Sequence, residues 1–509
     1  MLGGVFHQDL RFPPDVGPCH AGTVPFSPFR CRCASRSRTV ALGMVPSATD
    51  AGPPEEMPPV AVHWNKFPLG RVRTSMKHLF PAALFVATAF AADVKPTFYK
   101  DALPILQNHC QGCHRAGEIG PMAFPDDYKA VRPWAKSIKQ AVATRKMPPW
   151  FADPAHGKFV NDRSMLPGEI ATLMSWVDAG APEGDRNDAP APKQYVGGWN
   201  IGKPDYTVEM PRQFAIPAKG KVDYQYIVIP LNLTEDKWVQ MVEARPKTEA
   251  RSAVHHILAY VRAPESKWLR GEAEPGVPFV PPRTTPDGKP RDDVGGQGNE
   301  ILTIYTPGNV PDVWAPGTAK RIRAGSDLVL QMHYTPSGKD VVDQSRIGFV
   351  WAKEPVTRRV LTFNTINTRF AIPPGDGNYR VEGSAFQIRN EATLLSFFPH
   401  MHLRGKTFEY NLRRPDGSTE KLLSVPRYNF NWQLTYKLQD PIKLEPGSRI
   451  QGVAWFDNSP NNPFNPDPKA TVRWGEQSDE EMMIGFFDLV IDARQDLKNW
   501  LGGKKPSSD

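Results

Sequence analysis

The chain has 509 residues, enough for about three domains, and its 40% hydrophobic content allows ordinary cores. Its 53 prolines and 40 glycines favour turn-rich β-sandwiches over long helices. Net charge is +8, but residues 1–92 hold nine Lys/Arg against five Asp/Glu, which leaves +4 for the rest and, with no basic-aromatic stripe, argues against nucleic-acid binding.

Residues 1–75 lack sustained periodicity and read as a non-native or disordered extension. Met76-Lys77-His78 then precede an apolar run from Leu79 to Phe90 that closes on Ala89-Phe90-Ala91-Ala92. A basic start, a short apolar stretch and small residues at its end are the parts of a secretory signal, expected over 76–91. The run is too short to span a bilayer comfortably. Export to the periplasm or beyond is therefore expected, with no transmembrane anchor after cleavage. The alternative is a genuine extension with a buried helix at 79–90. Of the cysteines Cys19, Cys31, Cys33, Cys110 and Cys113, none follows residue 113, so the C-terminal three-quarters can form no disulfide.

Cys110-Gln111-Gly112-Cys113-His114 is the C-x-x-C-H attachment signature of c-type haem. On that reading the two thiols would bond covalently to one haem and His114 would ligate the iron; a redox dithiol or half a zinc site is the alternative, weakened by the lack of partner cysteines. A small all-α domain is expected over 93–185, with helical stretches at 128–145 and 168–179 and a stop at Gly180. Met122, Met147, Met165 and His156 all stand at plausible distances for the sixth ligand. Arg145-Lys146-Met147-Pro148-Pro149-Trp150 resembles the R-x-MPPW segment of small cytochrome c domains in bacterial multidomain enzymes, and that resemblance implies Met147. A Pro/Asp/Ala-rich linker follows, taken as 186–200.

Beyond Trp199 the text becomes short alternating or β-branched runs separated by Gly, Pro and Asn clusters, as in Tyr224–Ile229, Leu328–Tyr334 and Lys406–Leu412. Two antiparallel, jelly-roll-like β-sandwiches are expected, over 201–360 and 361–500, with a join near Trp351–Arg369. Five of the six histidines after the haem motif fall there: His255, His256, His333, His400 and His402. His400 and His402, placed i and i+2 on a strand, would share one face about 7 Å apart. His255 and His256 are adjacent, so they can meet one metal only through a bulge or through different ring nitrogens.

This set resembles the copper type II monooxygenases, the peptidylglycine α-hydroxylating and dopamine β-hydroxylating family. The matching segments are Val254-His255-His256-Ile257-Leu258, Gln331-Met332-His333-Tyr334, His400-Met401-His402-Leu403-Arg404-Gly405 and Glu480-Glu481-Met482-Met483, in family order. The resemblance covers residues 200–500 and implies two coppers. His255, His256 and His333 would hold an electron-storing copper; His400, His402 and Met482 would hold the copper that binds O2. Met483 is the alternative thioether. Imidazole with thioether suits Cu(I). Phe398 stands where the peptide-processing members carry a carboxylate-binding arginine, and Ile484 where they carry an asparagine. A small, apolar substrate is expected, hydroxylated at a C–H bond with O2. Electrons would come from ascorbate, another reductant or a redox partner protein, with haem as a relay. The rival expectation is a non-catalytic periplasmic electron carrier or copper-binding module.

Overall fold

The computed structural model describes residues 95–284, 288 and 299–497. The account below concerns those residues. The expected extension and secretory signal lie outside the described residues. Among those described, no helix is long and apolar enough to cross a membrane.

Longer helices are confined to the first part. Leu103–His109 buries Leu103, Ile105 and Leu106, and Cys110 is its C-cap, so the C-x-x-C-H segment issues directly from a helix end. Ala135–Ala143 buries Ala135, Ile138 and Val142, the three- and four-residue spacing of an amphipathic helix. Pro167–Asp178 begins with proline, and Glu169 reaches back to accept from the Leu166 backbone N–H at 2.8 Å. It stops at Gly180, whose φ of +92° suits glycine alone among common residues. Phe98, Leu106, Leu173 and Trp176 close a separate core over these helices.

From Tyr206 onward the chain is predominantly strand, in several sheets. A four-stranded antiparallel sheet runs in the order Gln225–Pro230, Asp327–Tyr334, Val254–Arg262, Glu300–Tyr305. A nine-stranded sheet passes through both halves of the β region. Lys237–Arg245 and Thr318–Ile322 contribute to it from the first half. Arg358–Asn367, Met483–Asp492, Ala392–His400 and Tyr436–Leu444 contribute from the second. The joint is a short parallel pairing of Arg358 with Thr318 and Arg359 with Ala319. Residues 352–357 carry the chain between halves. A five-stranded sheet around Gly405–Arg413 and Arg449–Phe456 completes the second half. Among the described residues the named strands are therefore antiparallel except at this joint, and the two halves share a sheet.

Strand parity explains where the site falls. Val254–Arg262 is buried at all nine positions, the mark of a strand covered on both faces. Ile257, Ala259 and Val261 enter the first-half core, whereas Leu258 and Tyr260 enter a second apolar layer. That layer also receives Phe398, Met482, Ile484 and Phe486 from the second half. It is where the two halves meet, and the histidines stand in it.

Candidate metal centre

His256 lies directly opposite His333 in the sheet, and the register between their strands shifts between Val254 and His256. This is the bulge that two adjacent histidines need in order to share a face. His255, His256 and His333 are all buried, and one potential ligand atom from each lies within 4.8 Å of the others. Their ring centroids are 4.5 Å (His255–His333), 4.8 Å (His256–His333) and 5.5 Å (His255–His256) apart. Nε2 of His255, Nε2 of His256 and Nδ1 of His333 are buried without a hydrogen-bond partner. Such orphaned nitrogens cost about 1–3 kcal/mol each unless something binds them. His333 is steadied at its other nitrogen by Ser478 Oγ, 3.1 Å away.

His400 ends the strand Ala392–His400, but His402 lies beyond it, in the turn before Gly405–Arg413. The strand thus ends before His402 and the chain turns at Leu403-Arg404, yet the two rings stand together, their centroids 5.2 Å apart. Two hydrogen bonds orient the rings. His400 Nδ1 faces Gln433 Oε1 at 2.6 Å, while Gln433 Nε2 donates to the carbonyls of Phe430 (3.3 Å) and Met401 (3.5 Å). Those two acceptors fix the amide, so His400 carries its proton on Nδ1 and leaves Nε2 as a lone-pair donor. His402 Nδ1 donates to the Glu480 carbonyl at 3.1 Å, with the same result. The turn itself is held by Glu481, whose Oε2 accepts from the His402 backbone N–H (2.9 Å) and whose Oε1 accepts from that of Arg404 (2.6 Å).

The two groups of histidines are not apart. His256 and His400 have ring centroids 5.6 Å from each other, and Tyr224 is wedged among His256, His333 and His402, its hydroxyl 3.5 Å from His402 Nε2. All five imidazoles thus form one continuous cluster between the halves. Burial drives every one of them toward the neutral form. His255 is pushed down to about 3 and His400 to about 4, the latter against the pull of Gln433; His256, His333 and His402 go well below their usual value, burial acting first and neighbouring imidazoles adding to it. Neutral imidazole is the form that binds a metal.

Ile484 pairs with His400 across the sheet, so Met482, two residues before Ile484, shares that face. Met482 is buried in the layer with Phe398 and Ile484, and Met483 points into the opposite core beside Gly383 and Gly452. Parity thus separates the two methionines.

Cys110 and Cys113 are free thiols, and burial pushes Cys110 up to about 12. His114 Nδ1 donates to the Met122 carbonyl at 3.0 Å and its ring stacks on Phe124, which leaves Nε2 available. A cavity of about 520 Å³ opens beside Gly112 and Cys113, walled on the far side by Arg245, Tyr305, Gly308 and Asn309. The Nε of Arg245, on that wall, is buried and unpartnered. Of the expected haem residues only Cys113 lines this cavity: Cys110, His114, Met147, Met122, Met165 and His156 do not, and Met147 is half-buried after the helix Ala135–Ala143, its N–H bonded to the Ala141 carbonyl.

Sequence reasoning did not single out Tyr224, Phe430, Gln433, Ser478 or Glu481. Only Glu481 left a signal, as the acidic neighbour of Met482; the others reach the cluster from loops and a strand start that no spacing rule connects.

No family model and no curated protein matches the chain. Among solved structures, PNGF-II is similar at 13% identity over 56% of this chain, with a TM-score of 0.24, and the chain spans 65% of its length. The major capsid protein P2 of bacteriophage PM2 is similar at 8% identity, covering 56% of this chain and 100% of that one at a TM-score of 0.21. Sulfolobus Turreted Icosahedral Virus gives 12% identity, 58% and 93% coverage and a TM-score of 0.22. Superpositions this loose have no bearing on the site.

Proposed function

We propose that the chain is an exported monooxygenase carrying two coppers and one covalent haem, which hydroxylates a C–H bond of a small apolar compound with O2. The observation that carries this reading is the convergence of five buried, neutral imidazoles, three of them with orphaned nitrogens, on one apolar layer between the halves. Zinc in a structural site more usually recruits cysteine, and no cysteine follows residue 113.

His255, His256 and His333 would hold one copper, and His400, His402 and Met482 the other. The donor sets fit, being imidazole alone in the first and imidazole with thioether in the second. Cys110, Cys113 and His114 would hold the haem; the two free thiols and the unengaged Nε2 of His114 are the groups such an attachment needs. Met147 remains the sixth ligand implied by resemblance. When bound, copper supplies O2 activation and one-electron storage, and haem supplies a further one-electron store.

The protein's own residues do the rest. Gln433 and the Glu480 carbonyl fix the His400 and His402 tautomers, so that both present Nε2. Glu481 holds the turn that places His402. Phe398, Ile484 and Phe486 surround Met482 with apolar surface, which excludes water and offers no charge to a substrate carboxylate. The test is metal analysis of exported protein followed by turnover with isotopically labelled O2 over hydrophobic substrates. Two coppers, one haem and label in a product are expected; zinc in the cluster, or copper with no label in any product, would sink the proposal.

A further inference from the structure

Apart from Cys113, no ligand proposed above lines the cavity of about 520 Å³, and the charge on its walls is unevenly matched. Four arginines reach it: Arg115, Arg163, Arg245 and Arg251. Glu118 is shared by two of them, pairing with Arg115 Nη2 at 3.0 Å and Arg251 Nη1 at 2.7 Å. Glu243 takes Arg245 Nη1 at 2.7 Å and also accepts from the backbone and side-chain N–H groups of Asn200, at 2.7 Å each. The third carboxylate of the lining, Asp162, is exposed and accepts from the Ser164 N–H at 2.7 Å. Arg163 has no carboxylate partner among the described residues. Its side chain makes one hydrogen bond there, from Nη2 to the Gly308 carbonyl at 2.6 Å. Arg245 is only 9% exposed, and its Nε has no partner.

A guanidinium cannot shed its charge, so one drawn out of water without a matched anion is costly. A bound oxyanion recovers that cost, and the two oxygens of a carboxylate match the fork of N–H donors. The space is larger than an inorganic ion needs and lies within the range of small-molecule pockets, about 300–1,000 Å³. Ile119, Val310 and Pro311 give it hydrocarbon surface. The amides of Asn161 and Asn309 are already engaged with Thr435, and that of Asn200 with Glu243. Charge and hydrocarbon are what the walls have left to offer. We propose that this cavity binds a small organic acid, its carboxylate on Arg163, its body against Ile119, Val310 and Pro311, with Arg245 adding positive charge on the wall. Arg163 belongs to the helical part and Arg245 to the first half of the β region, so the bound acid would join the two. The inference does not depend on the copper and haem assignments.

The test titrates the full exported protein by calorimetry, with its haem content quantified. Three probes are used: benzoate, benzyl alcohol as a neutral counterpart of similar size, and inorganic phosphate as charge without hydrocarbon. Benzoate should bind, and the other two should bind about tenfold or more weakly. Arg163→Gln should weaken benzoate by about tenfold or more, and Arg245→Gln by less. Arg163→Lys, which keeps the charge without the fork, should fall between parent and Arg163→Gln. The comparison of probes on the parent needs no variant, so it stands even where a substitution harms folding. Benzyl alcohol or phosphate binding as tightly as benzoate overturns the proposal, as does a parent that takes up no benzoate. Parent-like benzoate affinity in both glutamine variants overturns it too. So does loss of covalent haem in step with benzoate, since the arginines would then serve the carboxylates of the haem itself.

Discussion

The two histidine groups reach the same place by different means. The trio His255, His256 and His333 is positioned by backbone: two neighbouring central strands and one bulge aim three rings at each other, with three nitrogens left unpaired. The pair His400 and His402 is positioned by side-chain and loop partners, Gln433, the Glu480 carbonyl and Glu481, and its rings are satisfied on one edge. A site built by strands is rigid and tolerates change around it; a site built by a turn depends on the residues that hold the turn. The contrast predicts where each will break.

The largest expected effect is on metal content. His256→Ala should remove the copper of the trio and leave that of the pair, and His400→Ala should do the reverse, as counted by metal analysis and copper EPR. Loss of both coppers from either variant would show that the continuous cluster acts as a single site and erase the distinction. Next comes the turn. Glu481→Ala strands the buried His402 and Arg404 backbone N–H groups; we expect a loss of about 1–3 kcal/mol for each in chemical denaturation. An equally large loss from an alanine at His255 would contradict the view that the trio is carried by backbone.

Acid provides the third measurement. With His255 held down to about 3 and His400 to about 4, the unfolded chain takes up protons between pH 6 and 4 that the folded metal-free chain refuses. Stability of that form should therefore fall with falling pH, by about 2–3 kcal/mol per unit from these two groups. Bound copper should shift the loss to lower pH, and a flat profile for the metal-free protein would argue against neutral, buried rings. The smallest effect is at Ser478→Ala, which removes the partner of His333 Nε2. About 1 kcal/mol is expected, with copper EPR parameters of the trio altered and those of the pair unchanged.

What could be read from the sequence follows the range of the interactions involved. The strand pattern, the helix stop at Gly180 and the need for a bulge at His255-His256 are local, and each is visible in a few consecutive residues. That Met482 and Met483 face opposite sides follows from parity alone. The turn that takes His402 off its strand was not legible, because Leu403-Arg404 carry no turn signature; the turn is imposed by Glu481, almost 80 residues later in the chain. Tyr224, Gln433 and Ser478 are likewise placed by tertiary pairing. The shared sheet escaped notice because its joint is two residues wide and parallel.

That joint bears on how the protein comes to exist. The cluster draws on Tyr224 at one end of the chain and Ser478 at the other, so no shorter stretch contains it. Contacts of such wide sequence separation form late, after the loops between them have been closed. The first-half core itself takes in Val360 and Val490, and the full set of rings meets only once Arg358–Asn367 has docked beside Thr318–Ile322 and Met483–Asp492 lies next to it. Metal uptake would then come at the end of folding rather than guide it. On the copper reading proposed above, the metal would be delivered to a finished fold, and its retention would report correct assembly.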